Sequence, residues 1–74
     1  MTMTTDDYGT HRCYNDAGQL HREDGPAIVY MDGRQFWYQN GKLHREDGPA
    51  VVDTMWRTKE WWKHGKFIRK ENKK

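Results

Sequence analysis

Eight consecutive residues occur twice in this chain: Leu20-His21-Arg22-Glu23-Asp24-Gly25-Pro26-Ala27 and, 23 positions on, Leu43-His44-Arg45-Glu46-Asp47-Gly48-Pro49-Ala50. An unbroken internal repeat points to a supersecondary unit used more than once, each copy burying its apolar face against the next. It also argues against reading the octapeptide as a single catalytic site, because a chain of 74 residues would then carry that site twice.

The residues around the octapeptides extend the unit. Phe36-Trp37-Tyr38-Gln39-Asn40-Gly41-Lys42 precedes the second copy, and Cys13 to Gln19 forms a degenerate counterpart before the first. A third, truncated copy, Glu60-Trp61-Trp62-Lys63-His64-Gly65-Lys66-Phe67-Ile68-Arg69-Lys70, is offset by 24 and lacks the Asp-Gly-Pro-Ala turn. Short aromatic or β-branched runs alternate with Gly-containing turns, the mark of consecutive hairpins. Strands are expected near residues 10–14, 19–22, 27–31, 34–39, 42–45, 50–55, 59–63 and 66–70. Between them lie Asn15 to Gly18, Asp32-Gly33, Asn40-Gly41 and His64-Gly65, and Asp-Gly and Asn-Gly favour type I′ turns. No stretch shows a 3.6-residue apolar period with caps, so helix is not expected. The fold class is all-β, an antiparallel meander of about three tandem β-hairpin repeats. Residues 1–9 are read as a flexible leader, 10–70 as one domain and 71–74 as a basic tail.

Size makes such a domain marginal without a staple. Cys13 is the only cysteine, which excludes an intramolecular disulfide and favours a reducing compartment. Leu, Ile, Val and Phe number only nine, but ten aromatic residues can replace the missing aliphatics as buried area, and the net charge is only +2. A core built on rings, supplemented by homodimerisation, is therefore expected. No apolar run approaches a membrane span, and the N-terminus lacks signal-peptide character, so a cytoplasmic location without membrane association is expected.

The octapeptide residues divide by what a turn needs. Asp24-Gly25-Pro26 and Asp47-Gly48-Pro49 are turn formers: Asp bonds nearby backbone, Gly accepts positive φ, and Pro fixes the exit. Leu20 and Leu43, with Ala27 and Ala50, flank the loops as apolar positions. His21, Arg22 and Glu23 exceed the demands of a turn, and Arg could bridge an acidic residue of its own or the next loop. Three sharper readings compete with this structural one. A metal site at His21 and His44 lacks a ligand spacing, and no cofactor is expected. Acid–base catalysis by histidine with Glu23 or Glu46 would need a pocket that a hairpin array of this size hardly offers, so an enzyme is not expected. The repeated loops could also form a bivalent binding edge.

Charge and rings locate the more promising surface. Residues 1–50 carry five Lys/Arg against eight Asp/Glu, whereas residues 51–74 carry eight against three. In a strand, neighbours point to opposite faces, so Trp37 opposes Tyr38 and Trp61 opposes Trp62. Both faces of the sheet then carry large apolar groups, and something must cover the second. Trp37, Tyr38, Trp61 and Trp62 are the expected protein-binding anchors, with Lys59, Lys63, Lys66 and Arg69 steering toward an acidic patch. The mixture of rings and cations in the last copy also admits binding to single-stranded nucleic acid.

The segment Phe36 to Ala50, with its Leu-His-Arg-Glu-Asp-Gly-Pro-Ala core, resembles repeats of small bacteriophage and bacterial proteins. These in turn resemble MORN-type β-hairpin repeats, including an antitoxin-like variant group. The resemblance covers roughly residues 10–70 and implies an antiparallel meander with a scaffold or interaction role and no assigned catalytic residue. The combined expectation is a small non-catalytic protein-binding module of bacteriophage origin, which inhibits or modulates a host or defence protein. Nucleic-acid binding and a structural homo-oligomer are the alternatives.

Overall fold

The computed structural model describes residues 2–72, and Lys73-Lys74 of the expected basic tail lie outside them. Nine strands follow one another: β1 (Thr2–Thr5), β2 (His11–Tyr14), β3 (Ile28–Val29), β4 (Gln35–Phe36), β5 (Tyr38–Gln39), β6 (Lys42–Leu43), β7 (Val51–Asp53), β8 (Thr58–Lys63) and β9 (Lys66–Asn72). Seven of them make one sheet in the order β1-β2-β3-β4-β7-β8-β9, every neighbouring pair antiparallel, while β5 and β6 form a separate hairpin. The fold is the all-β antiparallel meander of short strands that the turn spacing requires. No helix occurs among the described residues.

Two of the expected boundaries change. Residues 2–5, read as leader, form the edge strand β1, with Thr4 opposite Arg12 and Thr5 opposite His11. The loop that returns it to β2 is held by Asp6, whose carboxylate accepts the backbone N–H groups of Tyr8 and Thr10 and pairs with Arg12 at 3.0 Å. At the other end β9 runs on to Asn72, two residues into the expected tail. The single strand expected over 34–39 is broken at Trp37, and that over 19–22 shrinks to one bridge between Tyr14 and Leu20.

Turn chemistry sorts into two kinds. Asn40-Gly41 (φ 51° and 78°) and His64-Gly65 (φ 51° and 77°) have the paired positive φ of type I′. Asp32-Gly33 does not: only Gly33 is left-handed, its N–H meets Tyr30 O, and Tyr30 N–H meets Arg34 O. This is a three-residue loop closed by a glycine bulge, and the loops at Asp6–Thr10 and Asn15–Gln19 repeat it bond for bond.

The extra residue in the Asn15–Gln19 loop shifts the repeat alignment. Cys13 N–H donates to Ala27 O as Trp37 N–H donates to Ala50 O, and Cys13 O accepts from His21 N–H as Trp37 O accepts from His44 N–H. Cys13 therefore corresponds to Trp37 and Trp61, not to Phe36, and Tyr14 corresponds to Tyr38 and Trp62. Each octapeptide is an excursion from a return strand: the chain leaves after His21 or His44 and rejoins at Ala27 or Ala50. These two alanines are 1 % and 0 % exposed, the lowest values in the apolar core of the described residues. With Cys13, Ile28 and Val51 they form a thin core in a slab of 36 × 27 × 15 Å.

Candidate functional site

The excursion loops are built around their arginines. Arg22 Nε donates to Asp24 and Arg45 Nε to Asp47, both at 3.1 Å, and Arg69 pairs with Glu71 at 3.7 Å in the corresponding place. The bond from Arg22 holds the Asp24 carboxyl below the usual carboxylate range. Arg45 also lies over the Trp37 ring at 3.8 Å and donates to Pro49 O, and Arg69 covers Trp61 at 3.9 Å. Gly25 and Gly48 lie below these guanidinium groups, where an added Cβ would stand 3.0 Å from Arg22 Nε or 2.9 Å from Arg45 Cζ. Neither glycine has positive φ. The reason expected for them, a left-handed turn, is replaced by close approach of a cation to the backbone.

The histidines join one unit to the next. His21 Nδ1 accepts the backbone N–H of Asn40, and His44 Nδ1 that of His64, each at 3.0 Å. Two further bonds accompany each: Leu20 O and Leu43 O accept from Gly41 and Gly65 N–H, while Arg22 and Arg45 N–H donate to Tyr38 and Trp62 O. Both imidazoles thus need an unprotonated Nδ1, which a cap on a turn amide explains without chemistry. His44 is 5 % exposed, with the His64 ring at 4.5 Å. The corresponding place in the last unit is held by Ile68.

The expected anchors are distributed over two units. Trp37 is covered by Arg45, and its indole Nε1 is buried without a hydrogen-bond partner among the described residues. Tyr38 is half-buried, and burial pushes its hydroxyl pKa up. Trp61 lies under Arg69, and Trp62 meets Phe67 edge to face at 5.4 Å while donating Nε1–H to Glu60 at 2.9 Å. The covering required for the second face is thus supplied, at Trp37, by the protein's own loop.

Strands β8 and β9 bring Trp61, Trp62, Lys59, Lys63, Lys66 and Arg69 onto one hairpin, with all four cations exposed. Trp37 and Tyr38 lie a unit away. The loop residues Leu20, Asp24, Gly25 and Pro26, with Leu43, Asp47, Gly48 and Pro49, frame the excursions. Glu23, Glu46 and Asp47 line a concavity of about 230 Å³ with Arg45 and Trp37. Among the described residues no group of three His, Cys, Asp or Glu side chains could hold a metal ion.

Sequence reasoning gave no binding role to the most exposed large apolar side chains among the described residues. Tyr8, Met31, Met55 and Trp56 stand 67–82 % exposed on three turns at one end of the sheet. These turns adjoin: Gly9 faces Met31, and Thr54 Oγ1 donates to Asp32 O. Tyr8 and Trp56 lie outside every expected strand, while Met31 and Met55, expected to end strands over 27–31 and 50–55, fall in turns because β3 and β7 stop two residues earlier. Phe67 and Ile68 also remain about half exposed. Comparison with family models, curated proteins and solved structures gives no match, so the site is read from its own geometry.

Proposed function

We propose that this chain is a small non-catalytic protein-binding module whose working surface is the β8–β9 hairpin. One observation carries the reading: Phe67 and Ile68, 54 % and 51 % exposed, lie among the exposed cations Lys59, Lys63, Lys66, Arg69 and Lys70. Exposed apolar side chains bordered along the hairpin by cations are the composition of an interface for an acidic protein surface, with the charges setting encounter rate and orientation. Trp61 and Trp62 support these side chains from β8, and Trp37 and Tyr38 extend the surface one unit further along the array. The more specific form, a bacteriophage protein that inhibits or modulates a host or defence protein in the cytoplasm, rests on the resemblance of the octapeptide repeats.

Nucleic-acid binding is the second reading, favoured by the same cations beside the same rings. Base stacking needs a free ring face. Arg69 covers one face of Trp61, and Phe67 packs against Trp62, which supports a protein partner over a stacked strand. Affinity capture from bacterial lysate at two salt concentrations separates the readings. Enrichment of one protein, lost with Lys63→Glu and Lys66→Glu together, supports the module. Recovery of nucleic-acid complexes that vanish steeply with salt overturns it.

A further inference from the structure

We infer that β9 is a docking edge to which an extended acidic segment of a partner protein adds, antiparallel, as an eighth strand of the main sheet. The inference rests on the protein-binding reading above and names the partner's chemistry. Among the described residues, strand β9 is the last neighbour in the sheet and the longest strand, exposed along all seven residues. Its inner side is used by β8. Lys63 and Lys66 close the type I′ turn, so antiparallel alternation turns the N–H and C=O of Phe67, next along, away from β8. Across the pair, Trp62 O likewise faces outward, where it accepts Arg45 N–H.

The repeats themselves show how this position is used. In the first two units the carbonyl of Leu20 or Leu43 and the amide of Arg22 or Arg45 receive the following hairpin. Phe67 stands in the place of Leu20 and Leu43 in the last unit, whereas Arg69, past a bulge, is in register with Trp61 of β8; no hairpin of the described residues follows. Ile68 replaces the histidine that caps the next turn, so another unit of the same kind would lack its acceptor and meet a half-exposed aliphatic side chain instead. The position suits a strand with apolar side chains better than a turn.

Charge sets the partner's sign. Lys63 lies directly opposite Lys66, and Lys42 packs beside Gly65 of the same turn, where an added Cβ would stand 3.5 Å from the lysine side chain. Like charges directly opposite each other are unfavourable until an anion lies between them. Further along, Arg69 and Lys70 outnumber Glu71. Two-fold pairing of β9 with β9 of a second copy would set these cations against each other, the usual device by which edges resist self-association. An acidic strand turns the same device into recognition, with backbone bonds giving affinity and alternate side chains giving selectivity.

The test uses the full chain and three capped synthetic octapeptides: alternating Glu and Val, alternating Lys and Val, and alternating Glu and Pro. Amide exchange is followed by NMR, with a thymidine decanucleotide as a fourth probe. The Glu-Val peptide is expected to slow exchange at Phe67 and along β9 about fivefold or more, because the outward amides become bonded. Its affinity should fall about tenfold between about 0.05 M and 0.5 M salt, and by a similar factor with Lys63→Glu and Lys66→Glu together. The Lys-Val and Glu-Pro peptides should leave β9 unprotected. Equal binding by the Glu-Pro peptide overturns the inference, since charge without a strand would then suffice. Protection that grows with protein concentration alone also overturns it, in favour of a second copy. Binding of Glu-Val that protects only the turns at Tyr8, Met31 and Trp56 removes the edge but leaves the protein-binding reading standing. Binding of the decanucleotide with none of the peptides removes that reading as well.

Discussion

Substituting Gly48 by alanine tests why the octapeptide contains glycine. The backbone at Gly48 is outside the left-handed region, so alanine brings no backbone strain. Its Cβ would stand 2.9 Å from Arg45 Cζ, 3.1 Å from Nε and 3.2 Å from Nη1, and the guanidinium must move. Movement gives up three contacts. Stacking on Trp37 is worth about 0.5–1 kcal/mol, the bond to Pro49 O about 1 kcal/mol, and the pair with Asp47, whose side chain is 85 % exposed, only a few tenths. Alanine returns about 0.5 kcal/mol by stiffening the unfolded chain. The net cost is about 1.5 kcal/mol, or roughly 10 °C in Tm for a chain of this size. Gly25→Ala should cost less, about 0.5 kcal/mol or under, because Cys13 stands where Trp37 does and Arg22 has no ring to leave. The assay is urea unfolding of Gly48→Ala in the native and Arg45→Ala backgrounds. With the arginine truncated, Gly48→Ala should be neutral or stabilising by about 0.5 kcal/mol. Equal cost in both backgrounds, or a larger cost at Gly25, would refute close approach as the reason for these glycines.

His44→Phe keeps a ring but leaves the His64 N–H without its acceptor, so urea unfolding should show a loss of about 1–3 kcal/mol; His44→Gln should restore part of it, and His21→Phe should cost less because His21 is half-buried whereas His44 is buried. The carboxyls of Asp6, Asp24 and Asp32 are held below the usual range, chiefly by Thr10 N–H, the Arg22 side chain and Arg34 N–H respectively. The unfolded chain therefore takes up protons first, so stability is present above about pH 4 and is lost as pH falls through the lower folded values. Thermal melts across this range should show a shallower acid limb for Asp6→Asn. Ala50→Leu, at a buried core position, should cost about 1–3 kcal/mol by overpacking. Trp56→Ser, 77 % exposed, should change unfolding stability by less than about 0.5 kcal/mol.

The hairpin architecture was legible because two independent signals agree: the octapeptide fixes the period, and Asn40-Gly41 fixes a type I′ turn. Strand β1 was not legible, because Thr2-Met3-Thr4-Thr5 is exposed throughout and carries no burial pattern. Its partner register is imposed by β2 and by the Asp6 loop. The one-residue shift at Cys13 was hidden for a different reason. Asn15-Asp16-Ala17-Gly18 and Gln39-Asn40-Gly41 both end in glycine, and only their bonding distinguishes a three-residue from a two-residue loop. Among the site residues, grouping of the last-unit cations could be read from spacing along two strands. The stacking of Arg45 and Arg69 on Trp37 and Trp61 could not, since it depends on side-chain placement across the hairpin and not on any period along the chain. Tyr8 and Trp56 lie outside every expected strand, so periodicity was silent about them, whereas Met31 and Met55 end expected strands that stop two residues earlier in the structure.

The three bonds that join each octapeptide to the following hairpin have a consequence for chain length. Ala27 and Ala50 make the same backbone bonds, and so do Leu20 and Leu43, and His21 and His44. Excising residues 28–50 would place His64 N–H on His21, Gly65 N–H on Leu20 and Trp62 O on Arg22, with no new kind of joint. Inserting a further copy would do the same in reverse. Copy number is thus a variable that gene duplication or unequal crossing-over can change in one step without redesigning an interface. Stability would then scale with the number of nearest-neighbour joints. The first and last strands, β1 and β9, would stay the same at any length, so whatever they contact would be independent of how many units separate them.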